Sequence, residues 1–474
     1  MRNHFHLKTL AVAIATLSIA SVTNAAGLDR SGQDVTAFFQ DGTYAEAVYT
    51  YIDADVSGYD SANTNPSQNA YERGDKTGDI AEAYDFFRYG VKADINDTFS
   101  VGVLYDEPFG AAAEYTQSNF VSQGDLDASI SSITDGAAPS LAAAQAGIGA
   151  LAAGETAGVL TAAQQAQLDG LRGAVAVAQA EASTAGENTN VEVRSQSLTG
   201  MLGMKFGANK NFQIYGGPVA QRIQAETKLR GLAYGPASGY TSTSNPDMDY
   251  GYIAGIAYSK PEIALKAALT YRSEIEHNVD IAESYPLVAI RAVAAGATVE
   301  QATALSNRAS NYEITTPKSV NFDFQTGINP TTLATAKVRW VPWSDFVITP
   351  PLYNDTSKIS YGPDGLNLVE YTDDQWVVEL GLAKRVAPAL AISGTVGWDS
   401  GAGDPTTSLG PVEGYYSVGL GAKYNLTENW AVSAGGKYLW FGDAKGQLPS
   451  DKLVGDFQDN DGFIAGLKVS YQAK

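Results

Sequence analysis

About fourteen stretches of this chain alternate apolar and polar residues with a period of two. After residue 25, none is apolar without a break for the roughly 18 residues that a membrane helix needs. In 99–106, Phe99, Val101, Val103 and Tyr105 share one face and Ser100, Gly102, Leu104 and Asp106 the other. In 263–281, Leu265, Ala267, Leu269 and Tyr271 alternate with Lys266, Thr270, Arg272 and Glu274. Tight connections, such as 208–210, 329–330, 387–388 and 426–428, take turns with long loops. Strands with one apolar side, aromatic ends, short turns at one rim and long loops at the other predict an all-β fold: a transmembrane antiparallel β-barrel of about 14 strands occupying 43–474, with its charged faces turned to the lumen.

The start of the chain predicts export. MRNHFHLK is basic, TLAVAIATLSIASV is apolar but short, and Thr23-Asn24-Ala25 offers small residues for cleavage, so 1–25 reads as a signal peptide. Its removal takes away Arg2 and Lys8 and moves the formal net charge from −21 to −23. So acidic a chain is a poor partner for nucleic acid. With no cysteine, no disulfide supports the exported protein.

Four segments depart from the alternation. Residues 26–42 are polar and unpatterned apart from Phe38-Phe39, and read as a short N-terminal plug, with a plain tail as the alternative. Residues 121–190 and 284–311 carry Ala, Leu and Val at roughly helical spacing and read as helical extracellular loops. At 106–110 the third strand breaks its own pattern: Pro108 cannot donate to a ladder and Gly110 lets the backbone bend, so a kink or bulge is expected at Pro108-Phe109-Gly110.

The start AGL, the strand FSVGVLYDEPFGAAAEY after an IND turn, and ALTYRSEIEHNVD resemble the FadL-type outer-membrane transporters of long-chain fatty acids and other hydrophobic compounds. The resemblance implies a plugged fourteen-strand barrel whose third-strand kink opens the wall sideways. It implies passive uptake of a long-chain fatty acid or other hydrophobic small molecule, released laterally toward outer-membrane lipid by a monomer without a cofactor. It also makes Arg222 an inward cation for a ligand carboxylate, with Lys337 and Arg339 as substitutes for a second, and Phe38, Phe39 and Leu104 as apolar contacts. The family's Asn-Pro-Ala plug motif is absent, the plug is short, and the largest helical loop follows the third strand.

Two rival readings are weighed against this one. A lipid hydrolase needs a nucleophile and a base, yet after the leader the sole histidine is His277, and no GxSxG elbow or HExxH pair occurs. A general diffusion porin or surface adhesion barrel would suit the acidity. Apolar residues on the inferred lumenal face, Val48, Ile52, Phe86, Leu104 and Leu439, argue against a water-filled pore.

Overall fold

A computed structural model describes residues 28–66 and 68–473; the expected leader, 1–25, lies outside them. Fourteen antiparallel strands close into a barrel. They are β1 (Thr43–Asp55), β2 (Tyr84–Asp94), β3 (Phe99–Asp106, continued by Gly110–Tyr115), β4 (Thr189–Phe206), β5 (Phe212–Lys228), β6 (Asp247–Lys260) and β7 (Leu265–Arg272, continued by Ile275–Ser284). The second half comprises β8 (Asn307–Thr316, continued by Ser319–Asn329), β9 (Thr332–Val341), β10 (Gln375–Ala387), β11 (Leu390–Asp399), β12 (Glu413–Asn425), β13 (Trp430–Gly442) and β14 (Asp461–Ala473). The ring is closed by β14, which pairs with β1 from Thr43↔Ala473 to Asp55↔Asp461.

Alternation decides the faces. Val91, Val103, Leu202, Ile256, Leu380 and Leu420 are exposed on the outside, as lipid contact requires. Phe99, Phe206, Phe212 and Trp430 ring the short-turn end, and Trp376, Trp398, Tyr416 and Trp440 the other. Inside, Val48, Ile52, Phe86, Leu104 and Leu439 are all buried, and so are Arg88, Lys337 and Arg339. Apolar lumenal side chains in contact with a plug do not make a wide aqueous pore.

The long loops carry most of the non-barrel structure. After β3 come α1 (Leu126–Ile133), α2 (Leu141–Thr156) and α3 (Ala162–Ala182), and after β7 come α4 (Pro286–Ala294) and α5 (Val299–Ser306). Asp125, Ser140, Thr161 and Thr298 cap four of these helices, the last two through full capping boxes with Gln164 and Gln301. Buried Glu181 ties the loop together by accepting from Gly124 N at 3.2 Å and Ser129 Oγ at 3.2 Å.

Two features of these loops carry little sequence signal. Helix α6 (Pro351–Tyr361) lies where the alternation suggested only strand ends. Glu283, from the end of β7, holds its N-terminus by accepting from Leu352 N (2.9 Å) and Tyr353 N (3.1 Å), satisfying donors that no helical carbonyl can reach. The second is a five-stranded sheet built from Ser57–Ser61, Arg73–Asp79, Thr406–Thr407, Ala444–Gln447 and Leu453–Phe457, gathered from three different loops.

Candidate functional site

The N-terminal segment enters the lumen and is fastened there by ions and main chain. Asp29 takes the guanidinium of Arg339 in two contacts, 2.5 and 3.1 Å, and Asn321 donates to Gly32 O at 2.9 Å. Gln33 Oε1 accepts from Ser319 Oγ at 2.6 Å and from Arg339 at 3.2 Å. Asp34 sits 3.3 Å from both Arg88 and Lys337. Burial alone would raise the Asp34 carboxyl, but Lys337 and Arg88 beside it, with hydrogen bonds from Thr36, hold it well below the usual carboxylate range. Lower down, Lys266 donates to Phe39 O and Lys92 to Gln40 O, both at 2.6 Å. Phe38 and Phe39 pack on Tyr215, with ring centroids 6.0 and 5.1 Å away. Room for Phe38 comes from a glycine: a Cβ on Gly102 would meet its ring at 2.8 Å.

The third strand breaks where the sequence predicts. The β2–β3 ladder runs from Asp94↔Ser100 to Tyr89↔Tyr105 and stops. On the other side β3 follows β4 to Asp106↔Ser197 and resumes at Gly110↔Arg194. Three residues of β3 thus oppose two of β4, which is a bulge. Ser195 absorbs the irregularity, accepting from Phe109 N at 2.8 Å and donating to Phe109 O at 2.6 Å. Phe109 turns inward against Trp343, with ring centroids 5.8 Å apart.

Between β2 and the upper half of β3 the wall has no direct ladder, and two other segments fill the space. Gly110 N donates to Leu28 O and Arg30 N to Pro108 O, both at 2.8 Å, around an isolated Asp29↔Phe109 bridge. Further out, Glu114 N donates to Ile80 O at 2.9 Å and Ala81 pairs with Ala113. The Arg30 guanidinium lies 3.8 Å above the centre of the Tyr84 ring. Gly110 leaves room for that side chain: a Cβ would fall 2.3 Å from the Arg30 guanidinium carbon and push the guanidinium aside. The N-terminal segment is therefore part of the barrel wall as well as a stopper in its lumen.

Two cavities of opposite character flank the segment. One of about 640 Å³ opens at the short-turn end and is lined by Phe39 together with Lys92, Lys205, Lys266, Asp323 and Glu379. Its charges favour water. The other, about 50 Å³, lies beside the kink among Leu28, Ala111, Val193, Ala225, Ile281 and Tyr371, with only neutral residues in its lining. A third, also about 50 Å³, sits among the loops between Tyr234, Tyr285, Leu287 and Tyr353.

With this geometry in view, the comparisons decide the family. The family model of outer membrane transport proteins (OMPP1/FadL/TodX) matches residues 35–472. The chain belongs to this family. It is an outer-membrane channel for hydrophobic compounds in a Gram-negative bacterium, and the family is one of transport channels rather than enzymes. Among solved structures, a Pseudomonas aeruginosa FadL homologue matches with TM-score 0.59 and 14% identity, covering 92% of this chain and 91% of that one. The P. putida toluene transporter TodX matches with TM-score 0.52 and 12% identity, covering 96% and 94%. Likeness at that identity supports the fold. No curated protein matches the sequence.

In this FadL/TodX-family barrel, Phe38, Phe39, Leu104, Lys337 and Arg339 gather around the N-terminal segment, and Pro108, Phe109 and Gly110 form the wall break. The expected inward position of Arg222 is corrected. Gln221 and Ile223 are buried whereas Arg222 is exposed, opposite Gln196 and Met248 on the outer face. Lys337 and Arg339 do face the lumen, but each is already engaged by a plug carboxylate. Sequence reading missed Asp29, Arg30 and Asp34. Their one sequence signal is the presence of acids and a base in an otherwise polar stretch that must neutralise a cationic lumen.

Proposed function

We propose that this channel admits neutral or weakly polar hydrophobic molecules through its outer loops into the apolar cavity beside Leu28. It then releases them sideways between β2 and β3, as a monomer, without passing them down the charged lower lumen. The observation that carries this reading is the gap in the wall ladder: its lumenal side is held by Leu28–Arg30, a segment outside the strands. A ligand tail entering the lower cavity would lose roughly 0.8 kcal/mol per methylene left in water, and a side exit avoids that loss. The neutral lining of the upper cavity, and the engagement of Lys337 and Arg339 by plug acids, favour an uncharged hydrocarbon over a long-chain fatty acid. At about 50 Å³ the cavity is well short of the roughly 150 Å³ that takes a benzene, so entry must displace Leu28 and open the seam.

Because the chain has no cysteine, Leu28→Cys with Ala111→Cys can be bridged specifically across the cavity by a short bis-methanethiosulfonate. Bridging should abolish uptake of labelled toluene into cells, and reductant should restore it. Undiminished uptake by the bridged barrel refutes the lateral route, and faster uptake of oleate than of toluene by the free barrel refutes the neutral-ligand preference.

A further inference from the structure

A second seam lies four strands round the barrel from the kink. The β6–β7 ladder ends at Ile253↔Arg272, and β7 next pairs on that side at Ile281↔Ser244, within the short strand Thr241–Ser244. Between those points side chains bridge the two strands. Ser273 Oγ accepts from Tyr252 N at 3.0 Å, and Asp249 Oδ2 accepts from Asn278 N at 3.3 Å. Three groups meet in this interval: Asp247, Asp249 and His277, each offering a ligand atom within 4.8 Å of the others.

The protonation of His277 follows from its neighbours. Its ring is fully buried, and Nε2 lies 3.1 Å from Gln221 Oε1. That oxygen also accepts from Thr316 Oγ1 at 2.7 Å, so Nε2 is the nitrogen that carries hydrogen. Nδ1 is left with a bare lone pair, 3.9 Å from Asp247 Oδ2, and neither atom has a hydrogen-bond partner among the described residues. Asp249 has the Asn278 amide as a donor, but the Nδ1 lone pair and Asp247 Oδ2 face each other with none, which is unfavourable unless a cation sits there. A gap of 3.9 Å is too long for a hydrogen bond. It is within the span of two ligands that each stand about 2.0–2.2 Å from a shared ion.

We propose that Asp247, Asp249 and His277 bind one divalent first-row transition-metal ion, which staples β6 to β7 where their ladder is interrupted. One imidazole nitrogen with two carboxylate oxygens selects ions of the zinc type over calcium, and water completes the shell. Gln221 acts behind the site, fixing the imidazole tautomer. The Asp247 side chain is 32% exposed, which gives the ion a way in.

The test is calorimetric titration of detergent-solubilised, EDTA-stripped protein with zinc chloride, and separately with calcium chloride. Wild-type protein should take up one zinc per chain, and cobalt should give visible d–d absorption. His277→Gln and, independently, Asp249→Asn should weaken zinc binding roughly a hundredfold. Heat-modifiable migration on an SDS gel, the signature of an intact barrel, shows that each variant is folded, and two separate variants keep the test decisive if one is not. Absence of saturable zinc binding overturns the proposal. So does zinc affinity unchanged in a folded His277→Gln barrel, or calcium binding as tight as zinc and indifferent to His277.

Discussion

Replacing Arg30 by alanine removes the side chain that fills the seam between β2 and β3 while leaving its backbone in place. The main-chain bonds Arg30 N to Pro108 O and Gly110 N to Leu28 O do not need the guanidinium, so the segment keeps its course. What is lost is the contact 3.8 Å above Tyr84 and the packing of a side chain that is 5% exposed. A desolvated cation–π contact is worth about 2 kcal/mol. If seam opening limits passage, a shift of about 2 kcal/mol raises the open fraction, and with it the uptake rate, by roughly 30-fold. Arg30→Lys keeps the charge without the planar stack and should fall between the two.

The assay is uptake of a labelled neutral hydrocarbon into proteoliposomes, run beside single-channel conductance in planar bilayers. The ion pairs Asp29–Arg339 and Asp34–Lys337 are untouched by the change, so the lumen should stay blocked and conductance should stay at the wild-type level. Unchanged uptake would mean that Arg30 does not hold the seam. A rise in uptake matched by a rise in conductance would be equally damaging, because it would mean that the whole plug had come loose.

Gly110→Val should act in the same direction as Arg30→Ala, because its Cβ displaces the flexible end of Arg30; reduced hydrocarbon uptake by the folded variant would contradict that. Asp29→Asn leaves Arg339 buried beside a neutral amide, a loss of about 3–5 kcal/mol for a broken buried pair; conductance through the lumen should rise, and its absence would show that the plug is held by its other contacts. The Asp34 carboxyl is held below its usual pKa in the folded chain, so its stabilisation is complete above the unfolded value of 3.8 and is lost as pH falls through the folded one. Conductance should therefore be flat from about pH 8 to 5 and rise only below about pH 4, and a step near neutrality would contradict this assignment. Surface proteolysis of intact cells should cut the exposed α2–α3 connection at 157–161, whereas cleavage confined to Asn329 and Thr331 would reverse the topology.

Much of the barrel was legible because its strands obey one rule over their lipid-crossing part: apolar outside, mixed inside. That rule placed Phe99, Val101 and Val103 against lipid, as observed; Lys337 and Arg339, offered on the family resemblance, do face the lumen. The inward placement of Arg222, taken from the family resemblance, failed for a physical reason. β5 is 17 residues long, roughly 58 Å at about 3.4 Å per residue, while the apolar band of such a barrel is only about 25 Å tall. Arg222 lies near the upper limit of that band, where the outer face tolerates polar residues, so charge no longer marks the lumen. The kink was legible from Pro108 and Gly110, since both act through the local backbone. What fills it was not, because Leu28–Arg30 has no periodicity and finds its partners 80 residues away. Nor was the outer sheet, whose strands of two to seven residues come from separate loops.

So short a plug can do two jobs because its anchors and its latch are different residues. Asp29 and Asp34 bind cations that project from β2 and β9, and those pairs are almost wholly buried, so releasing either costs several kcal/mol. Arg30, between them in sequence, is held by the Tyr84 ring, by the charge of nearby Glu107 and by main-chain bonds at the seam. Gly32, at φ +65°, gives the chain a turn just after the latch that residues with a Cβ rarely adopt. The weaker hold therefore lies at the wall and the stronger holds in the lumen. On the proposed lateral route, an apolar ligand that displaces Leu28 and Arg30 would meet the smaller barrier first and leave sideways before either anchor yields. That ordering would let the wall open to hydrocarbon while the lumen stays shut to ions.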